Sequence, residues 1–122
     1  GEDRQMNDDD LVRIAHALSD PTRLGILRVV AGGRDEDCCS PRDDCCPEGV
    51  CVCDLEAKVG LGQSKISYHL RELKDAALVS ETRSGRWNYY TVRSDRVREY
   101  AEAVAAVGRD QFAALVAPGR RG

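Results

Sequence analysis

The chain has 122 residues, the length of a single domain, and no apolar run approaches the roughly 20 residues needed to cross a bilayer. Apolar residues make up 42% of the sequence but aromatic residues only 5%, so the core must be aliphatic. A core this small favours pairing with a second copy, which would cover apolar helix faces. The net charge of −3 excludes a chain that is basic throughout, so the distribution of charge is more informative than its sum.

Charge and cysteine are concentrated in neighbouring segments. Residues 35–48 carry six acidic residues against a single arginine, whereas residues 61–93 carry six basic residues against three acidic ones. All six cysteines lie between positions 38 and 53. The first ten residues, GEDRQMNDDD, do not resemble a signal peptide, so we expect a cytoplasmic protein with reduced thiols and no membrane partner. Clustered thiols of that kind are typical of metal ligands or reactive groups.

Two helices are predicted before the cysteines. Residues 1–8 are expected to be flexible, and apolar residues at helical spacing predict a short amphipathic helix over residues 9–18. Asp20 is a good cap and Pro21 a good first residue for a second helix, which ends at the sequence AGG. The Gly-, Pro- and Asp-rich segment 32–53 is predicted to be an inserted cysteine-rich loop, and loops of this length are usually functional or disordered.

A helix–turn–helix is predicted after the loop. A short helix from Cys53 to Val59 is followed by a glycine-containing turn and by a second helix over about residues 63–76. One stripe of the second helix is apolar and consists of Ile66, Leu70, Leu73 and Ala77. His69 lies beside that stripe and is predicted to pack against the core rather than to bind a ligand or a base.

The sequence period then changes to that of strands. β-branched and aromatic residues on both sides of a Ser84–Gly85 turn predict a two-stranded hairpin, or wing, over about residues 79–93. Trp87 and Tyr90 are predicted to pack within the hairpin. Tyr89 would face the other side and approach DNA.

A long helix is predicted to close the domain. It runs from about residue 95 to residue 116, and residues 117–122 are expected to form a flexible tail. No histidine accompanies its acidic residues, so they are predicted to form a solvated face rather than a metal site; they are Asp95, Glu99, Glu102 and Asp110. The elements together predict a mainly α domain with a small β-hairpin over residues 9–116, which is a winged helix–turn–helix.

A winged helix–turn–helix indicates binding to double-stranded DNA. Its recognition helix places amino-terminal residues against base edges in the major groove, and here that end has no acidic residue before Glu72. Gln can address adenine, Lys can reach guanine, and Ser serves phosphates or bases, while arginines at the wing suit the DNA backbone or the minor groove. The predicted DNA-binding residues are Gln63, Ser64, Lys65, Ser67, Tyr68, Arg71, Arg83 and Arg86.

Three stretches of the sequence carry a family resemblance. They are ALSDPTRLGIL, VCVCDLEAKVGLGQSKISYHLRELKDAALV and SGRWNYYTV, within about residues 10–93. They resemble the ArsR/SmtB family of metal-responsive winged-helix repressors, and in particular its arsenic-responsive ArsR branch. The resemblance implies a homodimer built on the first and last helices, an inverted-repeat operator, and release of DNA when an inducer occupies the cysteine site. The family pattern has a third cysteine where this chain has Glu56, so that site cannot be carried over whole.

The six cysteines are the candidate metal ligands. Thiolate selects soft ions, and Cys51 and Cys53 can converge on one ion. A site with three sulfurs needs one more ligand, which Cys46 or Cys45 would supply if the loop folds back. The additional or relay ligands would be Cys38 and Cys39. As(III) is the favoured inducer and Sb(III) would use the same geometry, whereas Cd(II), Pb(II) or Zn(II) would take four thiolates.

Other interpretations of the cysteines stay open. Structural zinc usually uses C-x2-C pairs, which this sequence lacks. A redox switch through disulfides suits looped thiols, although acidic neighbours disfavour the reactive thiolate. An enzyme is not expected, because the sequence has neither a C-x5-R loop nor a C-x-x-C pair. The alternatives to an arsenite-responsive repressor are therefore a repressor that responds to Cd(II), Pb(II) or Zn(II), and a regulator that senses thiol oxidation.

Overall fold

The structure is a computed structural model that describes residues 6–33 and 49–116, with side chains as far as residue 109. The described elements are, in chain order, α1 Asp8–Ala17, α2 Pro21–Gly32, β1 Val50–Cys51, α3 Val52–Val59, α4 Gln63–Asp75, β2 Val79–Ser84, β3 Trp87–Val92 and α5 Ser94–Val116. The mainly α fold with a small sheet is as predicted. Residues 1–5 and 117–122, expected to be flexible, lie outside the described residues, as do Cys38, Cys39, Cys45 and Cys46.

Side-chain caps fix the starts of the first two helices. The Asn7 side chain accepts a hydrogen bond from the Asp10 N–H at 2.8 Å, and Met6 packs against the core. The predicted flexible segment 1–8 is therefore wrong at residues 6–8, because they already belong to the start of α1. Asp20 caps α2 by accepting from the Thr22 N–H at 2.9 Å, as predicted from the sequence.

The two helices of the helix–turn–helix are joined at Gly60. This residue has a left-handed backbone (φ 82°) and donates its N–H to the Glu56 carbonyl at 2.9 Å, which ends α3. The buried residues of α4 are Ile66, His69, Leu70 and Leu73. The prediction that Ala77 belongs to the apolar stripe is wrong, because α4 ends at Asp75. Ala76 is buried instead, and Ala77 adopts a left-handed backbone with φ 62°.

The wing belongs to a three-stranded sheet rather than to a hairpin alone. The strand order is β1-β3-β2, all antiparallel, and Cys51 of β1 pairs with Tyr89 of β3. The predicted loop over residues 32–53 is too long at its end, because β1 begins at Val50 and α3 at Val52. Two residues are too few to give a strand pattern, and their pairing with β3 is a long-range contact.

Gly49 allows β1 to lie against β3. Its backbone has φ +126°, and a Cβ atom at this position would lie 2.8 Å from the Tyr90 carbonyl oxygen and 3.2 Å from the Cβ of Tyr89. Only glycine adopts this conformation and this approach without strain. The position of Cys51, two residues later, therefore depends on Gly49.

The prediction that Tyr89 approaches DNA is wrong. Tyr89 is 1% exposed and Tyr90 is 7% exposed, so both faces of β3 are covered at this point. An alternating pattern in a two-stranded ribbon would leave one of the two tyrosines open. Here β3 is the central strand, and β1 with Gly49 lies beside Tyr89.

The core is aliphatic, as the composition predicts. Its buried residues include Ile14 and Ala17 of α1, Ile26 and Val30 of α2, Leu55 of α3, and the buried face of α4. The beginning of α5 returns to α1, and Tyr100 packs against the core. Within residues 6–33 and 49–116, none of the helices is both long and apolar enough to cross a membrane.

Candidate functional site

The outer face of α4 and the wing form the surface predicted to meet DNA. All eight predicted residues are exposed, and we call them the reading surface: Gln63, Ser64, Lys65, Ser67, Tyr68, Arg71, Arg83 and Arg86. The first turn of α4 has no acidic residue, so the positive end of the helix dipole is not neutralised there. This end of α4 can therefore approach the phosphates that flank a major groove.

The tip of the wing presents two arginines. Gly85 has φ 63° and allows the tight turn between β2 and β3. Arg83 donates from Nε to the Gly85 carbonyl at 3.0 Å, which directs its side chain along the tip, and Arg86 is exposed on the other side of the turn. The wing can thus bring two positive charges to the DNA backbone or the minor groove.

The carboxyl-terminal half of α4 is tied to both wing strands by one carboxylate. Glu81 of β2 accepts hydrogen bonds from Lys74 Nζ at 2.5 Å and from the Tyr90 hydroxyl at 2.7 Å. Hydrogen bonds from Lys74 and then from Tyr90 lower the pKa of Glu81. Burial, and after it the bond to Glu81, raise the pKa of Tyr90. A polar cavity of about 260 Å³ next to this network is lined by residues that include Ser67, Arg71 and Asn88.

The middle of α4 is held by Arg23 of α2. Arg23 is 4% exposed and donates from Nε to His69 Nδ1 at 3.3 Å and from Nη1 to the Ala17 carbonyl at 3.2 Å. His69 is itself buried, which confirms its predicted packing role. The role of Arg23 could not be predicted from the sequence, because the apolar neighbours of this residue mark α2 as a core helix and nothing local indicates a buried arginine.

The two described cysteines meet at the joint between β1 and α3. Cys51 is buried and Cys53 half-buried, and their sulfurs are 2.9 Å apart. We call this pair the thiol site. In the reduced protein, two sulfurs this close can bind one soft ion, and the predicted metal site at Cys51 and Cys53 stays a prediction. Cys53 takes part in a disulfide bond in this structure, so its sulfur would bind an ion only after that bond is reduced. Formation of such a bond is the chemistry of the alternative redox interpretation.

One cavity of about 250 Å³ connects the thiol site to the reading surface. Its walls are Val52, Cys53 and Glu56 of α3, Gln63 of α4, and Arg86, Trp87 and Asn88 of the wing. Gln63 and Arg86 are predicted DNA-binding residues, so a predicted metal ligand and two members of the reading surface border the same space. Because this arrangement joins three separate elements, neither cysteine spacing nor helix periodicity could indicate it.

The thiol site fits a soft ion in ligand type but supplies two of the three sulfurs that a trigonal site needs. Within the two described ranges, no group of three or more His, Cys, Asp or Glu residues is placed to hold a metal ion. Glu56, at the position of the family's third cysteine, lines the cavity beside Cys53. A third sulfur ligand would have to come from the four cysteines outside the described residues.

Known proteins are similar to this chain in sequence and in fold. Residues 48–81, from the end of the cysteine-rich segment into the wing, match the family described as "Bacterial regulatory protein, arsR family". An uncharacterized HTH-type transcriptional regulator of Methanocaldococcus jannaschii is 34% identical over 91 residues, which cover 75% of this chain and 86% of that protein. The chain belongs to the ArsR family. The relatives named with this family are transcriptional regulators, which is the class of protein predicted from the sequence.

Two further comparisons are with a curated repressor and with a solved winged helix-turn-helix structure. The arsenical resistance operon repressor of Bacillus subtilis is 43% identical over 53 residues, which cover 43% of this chain. The chain spans about half the length of that relative, 50%. A homodimeric winged helix-turn-helix DNA-binding domain from Mycobacterium bovis, a possible ArsR-family transcriptional regulator, superposes with a TM-score of 0.58 at 23% identity, covering 84% of this chain and 88% of that one.

Proposed function

We propose that this ArsR-family protein is a homodimeric transcriptional repressor that releases its operator when arsenite or antimonite binds its cysteine thiolates. The observation that carries the proposal is the cavity that Cys53 shares with Gln63 and Arg86. In this cavity Cys53 lies beside two of the residues predicted to bind DNA. We expect the protein to act in the cytoplasm, where thiols stay reduced.

The reading surface supports operator binding. Gln63 and Lys65 lie in the first turn of α4, where side chains reach base edges in the major groove. Arg71 lies one to two turns further along, and Arg86 lies at the wing, so these two suit phosphate contacts. Because phosphate contacts supply much of the affinity, binding should weaken steeply as the salt concentration rises.

Exposed valines on α1 and α5 support assembly as a homodimer. The two helices contact each other, and a second copy would cover their apolar side chains. These residues are Val12 at 67% exposure, Val97 at 37%, Val104 at 48% and Val107 at 61%. A twofold dimer places two recognition helices one DNA turn apart, which matches an inverted-repeat operator.

The position of the thiol site supports a mechanism of release. Cys51 lies in β1, which pairs with the wing strand β3, and Cys53 lies in the first turn of α3. Drawing the two sulfurs toward a further thiolate would therefore move the edge of the wing sheet and the start of α3 together. The same movement reaches Gln63 and Arg86 through the shared cavity. A differential affinity of about 1.4 kcal/mol already changes DNA binding tenfold.

The donor chemistry supports a soft ion as the inducer. Cys51 and Cys53 would bind it together with Cys46 or Cys45, and Cys38 and Cys39 would act as additional or relay ligands. As(III) and Sb(III) fit three sulfurs, and the Bacillus subtilis relative is an arsenical resistance operon repressor. Cd(II), Pb(II) or Zn(II), each bound by four thiolates, is the alternative within the same mechanism.

A thiol redox regulator is the second candidate function. The disulfide bond at Cys53 favours it, because oxidation at the thiol site could act on the reading surface through the same cavity. The two candidates differ in the signal that they need. A soft-ion sensor responds under fully reducing conditions, whereas a redox sensor responds only to an oxidant.

A DNA-release assay tests the proposal. Labelled DNA from upstream of the protein's own coding sequence is bound, and As(III), Sb(III), Cd(II), Pb(II) or Zn(II) is added in a thiol-free reducing buffer. A mild oxidant is added to a separate sample from which the reductant has been removed. We expect release with As(III) and Sb(III) at concentrations where the divalent ions and the oxidant have no effect. Release by the oxidant alone would favour the redox candidate, and no binding to this DNA at all would contradict the repressor proposal.

A further inference from the structure

Arg23 is a buried charge with partners on three parts of the chain. A guanidinium that is 4% exposed needs several hydrogen bonds to offset the loss of water. It donates to the Ala17 carbonyl at the end of α1 and to His69 on α4, and its Nη2 lies 3.9 Å from the carboxylate of Asp20, the cap of α2. Arg23 thereby ties the junction between α1 and α2 to the recognition helix.

The same guanidinium lies over the ring of Tyr68. Its Cζ is 5.6 Å from the ring centroid, within the range of a cation–π contact. The Tyr68 ring also meets the His69 ring edge-on, with centroids 5.2 Å apart and an angle of 61° between the planes. Tyr68 is nevertheless 53% exposed. One face of its ring is held by the protein while the rest is open on the reading surface.

We propose that Arg23 is a positioning residue for DNA sequence recognition, acting through Tyr68. It never reaches DNA in this role. Its hydrogen bonds hold its guanidinium in one place, and the guanidinium with His69 holds the Tyr68 ring in one orientation. A ring fixed before binding loses less conformational freedom when it meets a base or a sugar. This inference rests on the proposed function, because it needs α4 to be the element that reads DNA.

Only arginine has the geometry for this role. Its planar fork can donate to Ala17 and His69 at once while its face stacks on an aromatic ring, whereas the lysine ammonium is a compact point charge. Arg23→Lys therefore keeps the charge but loses the fork and the stacked plane. Arg28 lies exposed on the same helix, so Arg28→Lys is the matched control.

A double-mutant cycle tests the proposal. We measure the ratio of affinities for the protein's promoter DNA and for a scrambled sequence at one salt concentration, for wild type, Arg23→Lys, Tyr68→Ala and the double variant. Each single variant should lower the ratio about tenfold, and the double variant should lower it no further than Tyr68→Ala alone. Arg28→Lys should leave the ratio unchanged. The proposal would be overturned if Arg23→Lys left the ratio unchanged. It would also be overturned if the double variant lowered the ratio by the product of the two single effects.

Two further measurements distinguish a variant that does not fold, and a failure of the proposed function, from a failure of the positioning role. If Arg23→Lys does not fold, nuclear Overhauser contacts between Arg23 and the Tyr68 ring are measured in the wild-type protein with and without DNA. Their persistence in the complex supports the positioning role, and their loss overturns it. A wild-type protein with no preference for its promoter DNA would contradict the proposed function itself, whereas a wild-type preference unaffected by Arg23→Lys overturns the positioning role alone.

Discussion

The reading surface and the thiol site border one cavity, yet the chain builds them differently. The reading surface consists of exposed side chains on α4 and the wing. Arg23 holds α4 at its middle, and Glu81 holds it near its carboxyl-terminal end. The thiol site lies at a joint where the two-residue strand β1 passes directly into α3. A helix held in place by buried contacts, such as α4, suits DNA recognition. The direct passage from β1 into α3 can instead transmit a movement from one element to the other. Mutations should therefore separate recognition from regulation.

Removing both thiols should abolish the response to arsenite and leave DNA binding intact. In the variant Cys51→Ser with Cys53→Ser, the loss of DNA affinity that arsenite causes, at least about tenfold in the wild type, should vanish because no thiolate pair remains. DNA affinity without arsenite should stay within about twofold, since neither sulfur belongs to the reading surface. Fluorescence anisotropy of labelled promoter DNA measures both quantities.

A second cysteine variant controls for the number of thiols. Cys38→Ser with Cys39→Ser also removes two sulfurs, but from positions proposed as additional or relay ligands, so release should persist at a higher arsenite concentration. The account of the thiol site is wrong if the Cys51 and Cys53 variant still releases DNA normally.

Gly49→Ala should break the joint between the thiol site and the wing. The new methyl group would lie 2.8 Å from the Tyr90 carbonyl oxygen in a backbone with φ +126°. We expect the free energy of unfolding to fall by about 2–4 kcal/mol, measured by denaturant unfolding. Gly85→Ala is the control. Gly85 also has a positive φ, +63°, but no atom lies within 4 Å of the added methyl group, so this substitution should lower the free energy of unfolding by only about 1 kcal/mol. Equal costs would mean that the contact between Gly49 and β3 does not matter.

Glu81→Gln should weaken the contact between the carboxyl-terminal end of α4 and the wing, and its effect on stability should depend on pH. A carboxylate whose pKa is lowered by Lys74 and Tyr90 contributes stability above its unfolded pKa of about 4.5 and loses it as the pH falls through the folded value. Wild type should therefore lose more stability than Glu81→Gln between about pH 5 and pH 3. Near neutral pH the substitution should cost no more than about 1 kcal/mol, because Lys74 is half-exposed.

Thermal unfolding at a series of pH values checks this expectation. Asp75→Asn serves as the control, since it removes an exposed carboxylate from the end of the same helix. Parallel pH profiles for wild type and Glu81→Gln would show that the bonds to Lys74 and Tyr90 add nothing in solution.

Ala77→Gly should relieve the strained backbone just after α4 and change stability only slightly. Ala77 has φ 62°, a conformation in which the Cβ atom costs energy and glycine does not. The free energy of unfolding should rise by about 0.5–1 kcal/mol. The neighbouring Ala76 has an ordinary backbone with φ −84° and a buried methyl group, so Ala76→Gly should lower the free energy of unfolding instead. Two changes of the same sign would contradict this assignment.

The sequence predicted the features that depend on local order. Spacing of apolar residues indicated the buried face of α4 and hence the exposed reading surface, and the caps of α2 follow from Asp20 and Pro21. The wing turn at Ser84–Gly85 is equally local. These features are set by residues within a few positions of one another, so periodicity and turn chemistry suffice.

Features that depend on long-range contacts escaped prediction. Strand β1 has two residues and exists because it pairs with β3, about 40 positions further along the chain. The exposure of Tyr89 was predicted wrongly for the same reason, because β1 pairs with β3 beside this residue and β3 is not an edge strand. Arg23 meets His69 across 46 positions, and the cavity beside Cys53 is closed by residues of the wing. Only the folded chain brings these groups together.

Trp87 offers the most direct test of the coupling between the thiol site and the reading surface. It is the single tryptophan of the chain and lines the cavity with Cys53, Gln63 and Arg86. Arsenite is titrated into the protein bound to labelled promoter DNA under reducing conditions, with Trp87 emission and DNA anisotropy recorded together. The coupling predicts that both signals change with one midpoint, and that Trp87 emission also changes without DNA. DNA release with no response of Trp87 in the DNA-free protein, or a Trp87 response while the DNA stays bound, would contradict it.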